Sequence, residues 1–306
     1  MNEEYSHGMF DDNIKNIVLD IMSNYTDEST ITLDSHLQYD LGFDSLTMLE
    51  VCLEVENEFN VHIAENIKAA KTVGDIVVLI GKGNPKKHDI LYNINDYPLP
   101  KTKRHTRRLK RLMWLSRFLW EFKVYGTENI PTNEQYILCP NHQSLYDSLW
   151  VWAAIGSKQV DLQKISCLAA EVFISMRDEL TMLGGIPVER NGNTVPAMKR
   201  AQSCINDGYI MLIFPEGTRT RSGKIQKFKN GAAKLAIDAN VPIIPVRIDG
   251  AWDIFPPQRK RPKIFRIGRR YPIKISFGKP INPDGKSVEE LTAQLQSEVE
   301  QMSERK

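Results

Sequence analysis

The sequence predicts a small acidic helical domain followed by a larger α/β domain, on three observations. Charge divides the chain. Residues 1–80 hold 3 Lys and Arg against 16 Asp and Glu, a balance of −13 that leaves +15 for the rest of a chain whose net charge is +2. An acidic module fused to a basic one points to two domains with different partners. Periodicity changes along the chain as well: apolar residues near the N-terminus recur at spacings of three and four, whereas later short apolar runs alternate with helical stretches. Finally, 306 residues of which 42% are apolar can build two sizeable cores. The same composition, with 25% charged residues, excludes a collagen, a disulfide scaffold and a wholly disordered chain.

Residues 12–24 place Ile14, Ile17, Val18 and Ile21 on one face of a helix. A second helix is expected from Asp44-Ser45 to about Phe59, with Asp44 as N-cap, Leu46, Leu49, Leu53 and Val55 or their neighbours buried, and Glu50, Glu54 and Glu58 exposed. Thr72-Val73-Gly74-Asp75 opens a short final helix through Ile80. Residues 82–105, with Gly83-Asn84-Pro85 and Pro98-Leu99-Pro100 and no sustained periodicity, read as a linker between domains 1–81 and 106–306. As a flexible coil, 24 residues span about 27 Å r.m.s..

The second domain opens on a basic stretch, 106–120. On a helix Leu109, Leu112, Met113, Leu119 and Trp120 share an apolar face beside a polar strip of Lys110, Arg117 and Glu121. Such a helix suits an anionic membrane interface, or equally packing on its own domain. Arg259, Lys260, Arg261, Lys263, Arg266, Arg269 and Arg270 form a second basic cluster. Neither cluster carries a nucleic-acid-binding signature, so no nucleic acid is expected as partner. Apolar runs at 136–139, 209–214 and 241–246 read as strands, with helices at 195–207 and 231–240, and functional residues are expected where strands end.

The longest apolar run near the middle, 149–155, is far short of the ~18–20 residues of a spanning helix. Met1-Asn2-Glu3-Glu4 is acidic and precedes no apolar stretch, so a cytoplasmic protein is expected. Cys52, Cys139, Cys167 and Cys204 form no CxxC pair and read as buried thiols, with no metal site expected.

Asp40-Leu41-Gly42-Phe43-Asp44-Ser45-Leu46, the acidic helix after it, Phe59 and Thr72-Val73-Gly74-Asp75 stand in the order and spacing of acyl carrier proteins, which residues 9–81 resemble. The resemblance implies an all-α four-helix carrier domain. It also implies 4'-phosphopantetheine esterified to Ser45, a thioester on its thiol, a phosphopantetheinyl transferase and an acyl-loading enzyme as partners, and docking of the acidic helix to basic surfaces.

In the basic domain, Pro140-Asn141-His142-Gln143-Ser144-Leu145-Tyr146-Asp147 follows the first apolar run. His-x4-acid alone is weak, since about 0.7 such pairs arise by chance in this composition. Five residues lie ~140° out of phase on a helix, so contact between His142 and Asp147 requires a turn at a helix start. A carboxylate on Nδ1 would fix the tautomer and leave Nε2 to take a proton from a hydroxyl. No nucleophile elbow accompanies the pair, which favours direct attack by an acceptor hydroxyl.

Leu183-Gly184-Gly185-Ile186-Pro187-Val188-Glu189-Arg190-Asn191, Phe214-Pro215-Glu216-Gly217-Thr218-Arg219 and Val241-Pro242-Ile243-Ile244-Pro245-Val246 complete the set. With the His142 loop they stand in the order of the four blocks of glycerolipid acyltransferases. Residues 115–290 resemble the 1-acylglycerol-3-phosphate and lysophospholipid branch of that family. The resemblance implies an α/β acyltransferase domain that moves an acyl group from a thioester to a lipid hydroxyl. His142 would be general base and Asp147 its orienting carboxylate. Arg190, Arg219 and Lys229 would hold an acceptor phosphate, and Glu216, Gly217 and Thr218 would shape the acceptor loop. Pro187 departs from the commonest family pattern, which has a bulky apolar residue there.

The expected protein is therefore an O-acyltransferase with a covalent prosthetic group and no metal. Its donor is an acyl thioester on its own carrier domain, another carrier or coenzyme A, its acceptor is a lysolipid, and it works at the cytoplasmic membrane face as a peripheral protein. The alternatives are a carrier or interaction module for a separate lipid or polyketide-like pathway, and acylation of a phosphate-free lyso-aminolipid or metabolite alcohol.

Overall fold

The computed structural model describes residues 4–26, 28, 30–43, 45–59, 61–64, 66–82, 84–85, 93–132, 134–170, 174, 176–188, 194–259, 261–266 and 268–302. They form two compact units, Met1–Leu91 and Tyr92–Lys306.

The first unit is helical. It contains α1 (Glu4–Ser23), α2 (Ser45–Phe59), the two-residue strand β1 (Val61–His62), a 3-10 turn (Ile67–Ala69), α3 (Val73–Lys82) and β2 (Asn84–Pro85), which pairs antiparallel with β1. Among the described residues the unit has three α-helices and one 3-10 turn. The core collects Val18, Ile21 and Met22 from α1, Val51, Cys52 and Val55 from α2, and Val73, Ile76 and Ile80 from α3. The start of α3 is fixed by reciprocal caps: Thr72 Oγ1 accepts from Asp75 N, while the Asp75 carboxylate accepts from Lys71 N and Thr72 N. Those backbone bonds hold the Asp75 pKa below its ordinary value.

One expectation for α2 needs correction, that Glu50 and Glu54 stand exposed with Glu58. Its inward face is led by Val51, Cys52 and Val55, with Leu49 only half-buried. Glu50, expected outside, is buried; Glu54 is half-buried and accepts from Tyr25 Oη, and only Glu58 is exposed. Glu56 is buried too, for a visible reason: its Oε1 accepts from Ile63 N and Ala64 N, both at 2.7 Å, closing the turn after the helix. Asp44 and the side chains of Ser45, Leu46 and Leu53 lie outside the described residues.

The second unit begins earlier than expected. Ile94, Tyr97 and Leu99 pack into its core, Arg200 Nε donates to Tyr97 O, and Lys101 Nζ donates to Leu162 O (3.0 Å) and Ile165 O (2.7 Å). Burial lowers the Lys101 pKa to about 8. Residues 93–102 are thus a strap on the second unit, which shortens the expected linker from its C-terminal side. Thr102 then caps α4 (Lys103–Leu119), with a reciprocal bond from Thr102 N to His105.

After α4 come β3 (Glu121–Tyr125), β4 (Ile137–Pro140), α5 (Asp147–Ile155), β5 (Ile165–Ala170), α6 (Arg177–Leu183), β6 (Gly185–Val188), α7 (Val195–Asn206), β7 (Ile210–Leu212), α8 (Gly231–Ala239), β8 (Ile243–Asp249), α9 (Ala251–Ile254), β9 (Phe265–Arg266), β10 (Arg269–Arg270), β11 (Pro272–Phe277) and α10 (Val288–Gln301). Seven strands form one sheet in the order β3-β11-β8-β4-β7-β5-β6. From β8 to β6 all strands are parallel, and β11 and β3 run the opposite way. Successive residues of β4 face opposite sides, as a pleated strand requires. Leu138 joins the cluster with Trp150, Val151 and Trp152 of α5, and Ile137 and Cys139 join the one under α7, α8 and α10. Helices therefore cover both faces. Pro187 lies in β6, an edge strand where a missing N–H costs no ladder bond on the open side.

The apolar run 149–155 lies within α5 and is buried apart from Leu149. On α4, Leu109, Met113 and Ser116 face inward, while Trp114, Leu115 and Phe118 are exposed. Trp120 is not on that helix; it caps its end, is buried, and donates Nε1 to Lys263 O at 2.8 Å.

Candidate active site

The site forms where β4 and β7 end, side by side at the centre of the sheet. Ligand-binding residues gather at the carboxyl ends of parallel strands because the loops there are freed from the ladder. Asn141 follows the last residue of β4 and continues the pairing with its side chain: Nδ2 donates to Ile248 O (3.0 Å) and Oδ1 accepts from Ile248 N (2.7 Å). This anchors the next residue, His142. The chain then turns, and Asp147 opens α5.

Asp147 is fully buried and its Oδ2 is the hub of that turn. It accepts from Gln143 N (2.6 Å) and Ser144 N (2.7 Å) and lies 2.9 Å from His142 Nδ1. With Nδ1 facing a carboxylate, Nδ1 carries the proton and Nε2 is the basic nitrogen. The ring stacks on Phe214, centroids 3.7 Å apart and planes 14° apart, so it is held by an edge bond and a flat contact together. The His142 side chain is 16% exposed. Gln143 ties the same loop to two others, donating to Gly223 O (3.2 Å) and accepting from Trp252 N (3.3 Å).

The loop after β7 closes on this one. Glu216, 3% exposed, accepts from His142 N (2.8 Å) through Oε1 and from Gln226 N (3.0 Å) through Oε2. Burial pushes its pKa up to about 7, against the two backbone bonds that favour its charge, and the Asp147 carboxylate adds to the rise. Thr220 N donates to His142 O at 2.8 Å, so the backbone of His142 is held on both sides by the second loop. Gly217 sits at φ +76°, and a Cβ there would come within 3.0–3.2 Å of the Lys229 side chain, which arches over it. Lys229 N in turn donates to Pro215 O (2.8 Å). Thr218, Arg219, Thr220, Arg221, Ser222 and Gln226 line a cavity of about 370 Å³.

Of the residues expected from sequence, His142, Asp147, Glu216, Gly217, Thr218, Arg219 and Lys229 thus stand in two interlocked loops. Arg190, just past the end of β6, lies outside the described residues. Sequence reasoning gave no part to Asn141, Gln143, Phe214 or Gln226. Only their neighbourhood to the motifs could have pointed to them. Among the described residues no group of His, Cys, Asp and Glu could hold a metal.

Residues 121–249 match a family model described as acyltransferase, and residues 12–80 match one described as phosphopantetheine attachment site. The second stretch is thus similar to acyltransferases and the first to phosphopantetheine-attachment domains. Among relatives of the acyltransferase part, a 1-acyl-sn-glycerol-3-phosphate acyltransferase of Limnanthes douglasii is 31% identical over 178 residues, 55% of this chain and 57% of that protein. The alpha enzyme of that name from Mus musculus is 27% identical over 188 residues, 60% of this chain and 64% of its own length. The chain spans less than two thirds of both. The crystal structure of the 1-acyl-sn-glycerophosphate (LPA) acyltransferase PlsC from Thermotoga maritima superposes with a TM-score of 0.50 at 24% identity, covering 68% of this chain and 83% of that one, and shows the shared fold. Within the stretch that matches the phosphopantetheine-attachment model, Ser45 is the first residue of α2. The attachment chemistry fits that position, since a phosphodiester is favoured where the N–H groups of a helix's first turn lack intrahelical partners.

Proposed function

We propose that the protein transfers a fatty acyl group from a phosphopantetheine thioester to the hydroxyl of a lysophospholipid such as 1-acylglycerol-3-phosphate. The observation that carries this reading is the buried Asp147 carboxylate 2.9 Å from His142 Nδ1 at the end of β4, within an acyltransferase-family domain. Attached to Ser45, 4'-phosphopantetheine supplies a thiol that holds the acyl group in an activated form.

His142 Nε2 accepts the proton of the acceptor hydroxyl as its oxygen bonds to the acyl carbon, and returns that proton to the sulfur when the C–S bond breaks. Asp147 keeps Nδ1 protonated and stabilises the imidazolium between those two transfers. Arg219 and Lys229 provide cationic donors for an acceptor phosphate, together with Arg190 by its place in the motif, because guanidinium and ammonium groups bind phosphate oxygens with charge-assisted hydrogen bonds. Glu216, Gly217 and Thr218 shape the loop that presents them. The donor is the chain's own carrier domain, which covalent attachment supplies at a high effective concentration, after priming by a phosphopantetheinyl transferase and loading by an acyl-activating enzyme.

A lysolipid lies in a membrane, and the second unit has a surface suited to one. Trp114 (67% exposed) and Phe118 (61%) stack at 5.8 Å on α4, beside exposed Leu115, Arg107 and Arg111. Aromatic residues flanked by arginines partition to an anionic interface. We place the protein at the cytoplasmic membrane face as a peripheral enzyme; no helix among the described residues is long and apolar enough to cross a membrane.

The test is transfer to lysophosphatidate by the purified, primed and acyl-loaded chain. His142→Ala is expected to lower the transfer rate by roughly 10²- to 10⁴-fold without changing acyl loading of Ser45. Undiminished transfer in that variant would remove the mechanism.

A further inference from the structure

Among the described residues the His142 and Phe214 rings form the tightest aromatic contact, with centroids 3.7 Å apart and planes 14° from parallel. Ring pairs around α5 are arranged differently: Trp120 with Trp150, Tyr146 with Trp150 and Tyr146 with Phe255 stand 5.3, 5.7 and 5.0 Å apart at 74°, 84° and 60°. Neutral rings favour such edge-on or offset arrangements at ~4.5–7 Å, because a face-to-face sandwich sets two negative faces against each other. A cation reverses the preference, since the same negative face attracts positive charge within about 6 Å. The contact is therefore poor for a neutral imidazole and good for an imidazolium.

Phe214 is fixed where it meets the histidine. Ile213 N, just before it, donates to Leu138 O (2.9 Å), and Phe214 O accepts from Gly217 N (3.0 Å) at the turn that carries Glu216. Charged groups meet His142 from two elements. Asp147 of α5 faces Nδ1 with an oxygen that also takes two backbone N–H groups, and Glu216 of the loop after β7 accepts from His142 N. The same loop carries Arg219, Arg221, Lys227 and Lys229, whose positive charge opposes a further cation nearby. We propose that Phe214 is a positioning residue whose ring face stabilises the His142 imidazolium formed while the acceptor hydroxyl is deprotonated. For that step the inference rests on the acyltransferase reading above, and it adds a residue and an electrostatic role to it. The proton passes from the hydroxyl oxygen to Nε2 and later to the departing sulfur; Phe214 makes and breaks no bond.

A ring that only walls off the histidine would need its shape and not its π electrons, and this separates the two roles. Replacing Phe214 by mono-, di- and trifluorinated phenylalanines keeps the shape and drains the negative face stepwise. Loss of cation stabilisation makes the imidazolium less favourable, so Nε2 stays free of its proton to lower pH. Across the series the acid limb of the pH–rate profile is expected to move down by about 0.5–1.5 pH units. At the optimum kcat is expected to fall roughly 2- to 30-fold. The KM values for acceptor and donor stay unchanged, because the histidine is neutral when they bind. Phe214→Leu, apolar but without a π face, is expected to lose at least as much, and the fluorinated series does not depend on that variant folding.

The experiment follows two readouts on the full-length chain across the fluorinated series. One is transfer to lysophosphatidate as a function of pH. The other is the NMR titration of the His142 ring, identified by the signals missing in His142→Ala, which needs no turnover. A titration midpoint and an acid limb that fall together, step by step with fluorine number and at constant melting temperature, are the expected result. A midpoint that falls with fluorine number without detectable transfer by any form would keep the contact's role and remove the acyltransferase reading. Transfer by the wild type with midpoint and kcat indifferent to fluorine would overturn the role of Phe214 and leave that reading standing. An indifferent midpoint with no transfer would remove both.

Discussion

Asp147 carries three short contacts on a single oxygen, and this decides what a change there does. Its Oδ2 accepts from Gln143 N and Ser144 N and faces His142 Nδ1. Asp147→Asn keeps the shape but offers an amide that cannot fix the histidine tautomer. Transfer is expected to fall sharply while acyl loading of Ser45 is unaffected, as rates of both half-reactions would show. Glu216 gives a pH signature. Burial raises its pKa from 4.5 to about 7 in the folded chain. Between those values the native state holds a proton that the unfolded state has released, so stability falls as pH rises through that window. Melting temperatures of wild type and Glu216→Gln across pH 4.5–8 are expected to show a decline in the wild type that the variant lacks. Parallel curves would refute the assignment. The histidine and its carboxylate were legible only in company with the distinctive Phe-Pro-Glu-Gly-Thr-Arg stretch, because their own spacing arises readily by chance. The Asn141 pairing with Ile248, 107 residues away, and the face-to-face contact of Phe214 with His142 were not, because only the closed sheet brings those residues together.

At the scale of elements, α4 shows how one helix serves two environments. Leu109 and Met113 are buried, whereas Trp114, Leu115 and Phe118 point away from the core. Replacing Trp114 and Phe118 together by Ala removes exposed aromatic surface and no core contact. Binding to vesicles rich in anionic lipid is expected to fall roughly 10-fold or more, with melting temperature unchanged; sedimentation of vesicles with bound protein measures it. Equal binding would assign membrane contact to another surface. The central strands β4, β7 and β8 were readable because they are short apolar runs bounded by Pro, Asn or Gly. The edge strands were not: β3 mixes Glu121 and Lys123 with apolar residues, and β6 carries Pro187. Each pairs on fewer or more solvated sides, so its sequence is less constrained. The strap 93–102 read as linker for a related reason, since Tyr97 and Lys101 are held by Arg200 and by the carbonyls of Leu162 and Ile165, partners far away in sequence.

For the molecule as a whole, the charge division seen in the sequence coincides with two separate compact units, an acidic helical one and a basic α/β one. In the proposed mechanism both work on one acyl group: Ser45 carries it and His142 releases it. The most direct test follows the intact mass of the full-length chain, primed and acylated on Ser45, as lysophosphatidate is added in the absence of coenzyme A. The mass is expected to fall by one acyl group while one equivalent of phosphatidate appears, in the wild type and not in His142→Ala, and Ser45→Ala is expected never to gain the prosthetic group. An acyl group that stays on Ser45 of the wild type while the same protein acylates lysophosphatidate from acyl coenzyme A would contradict it.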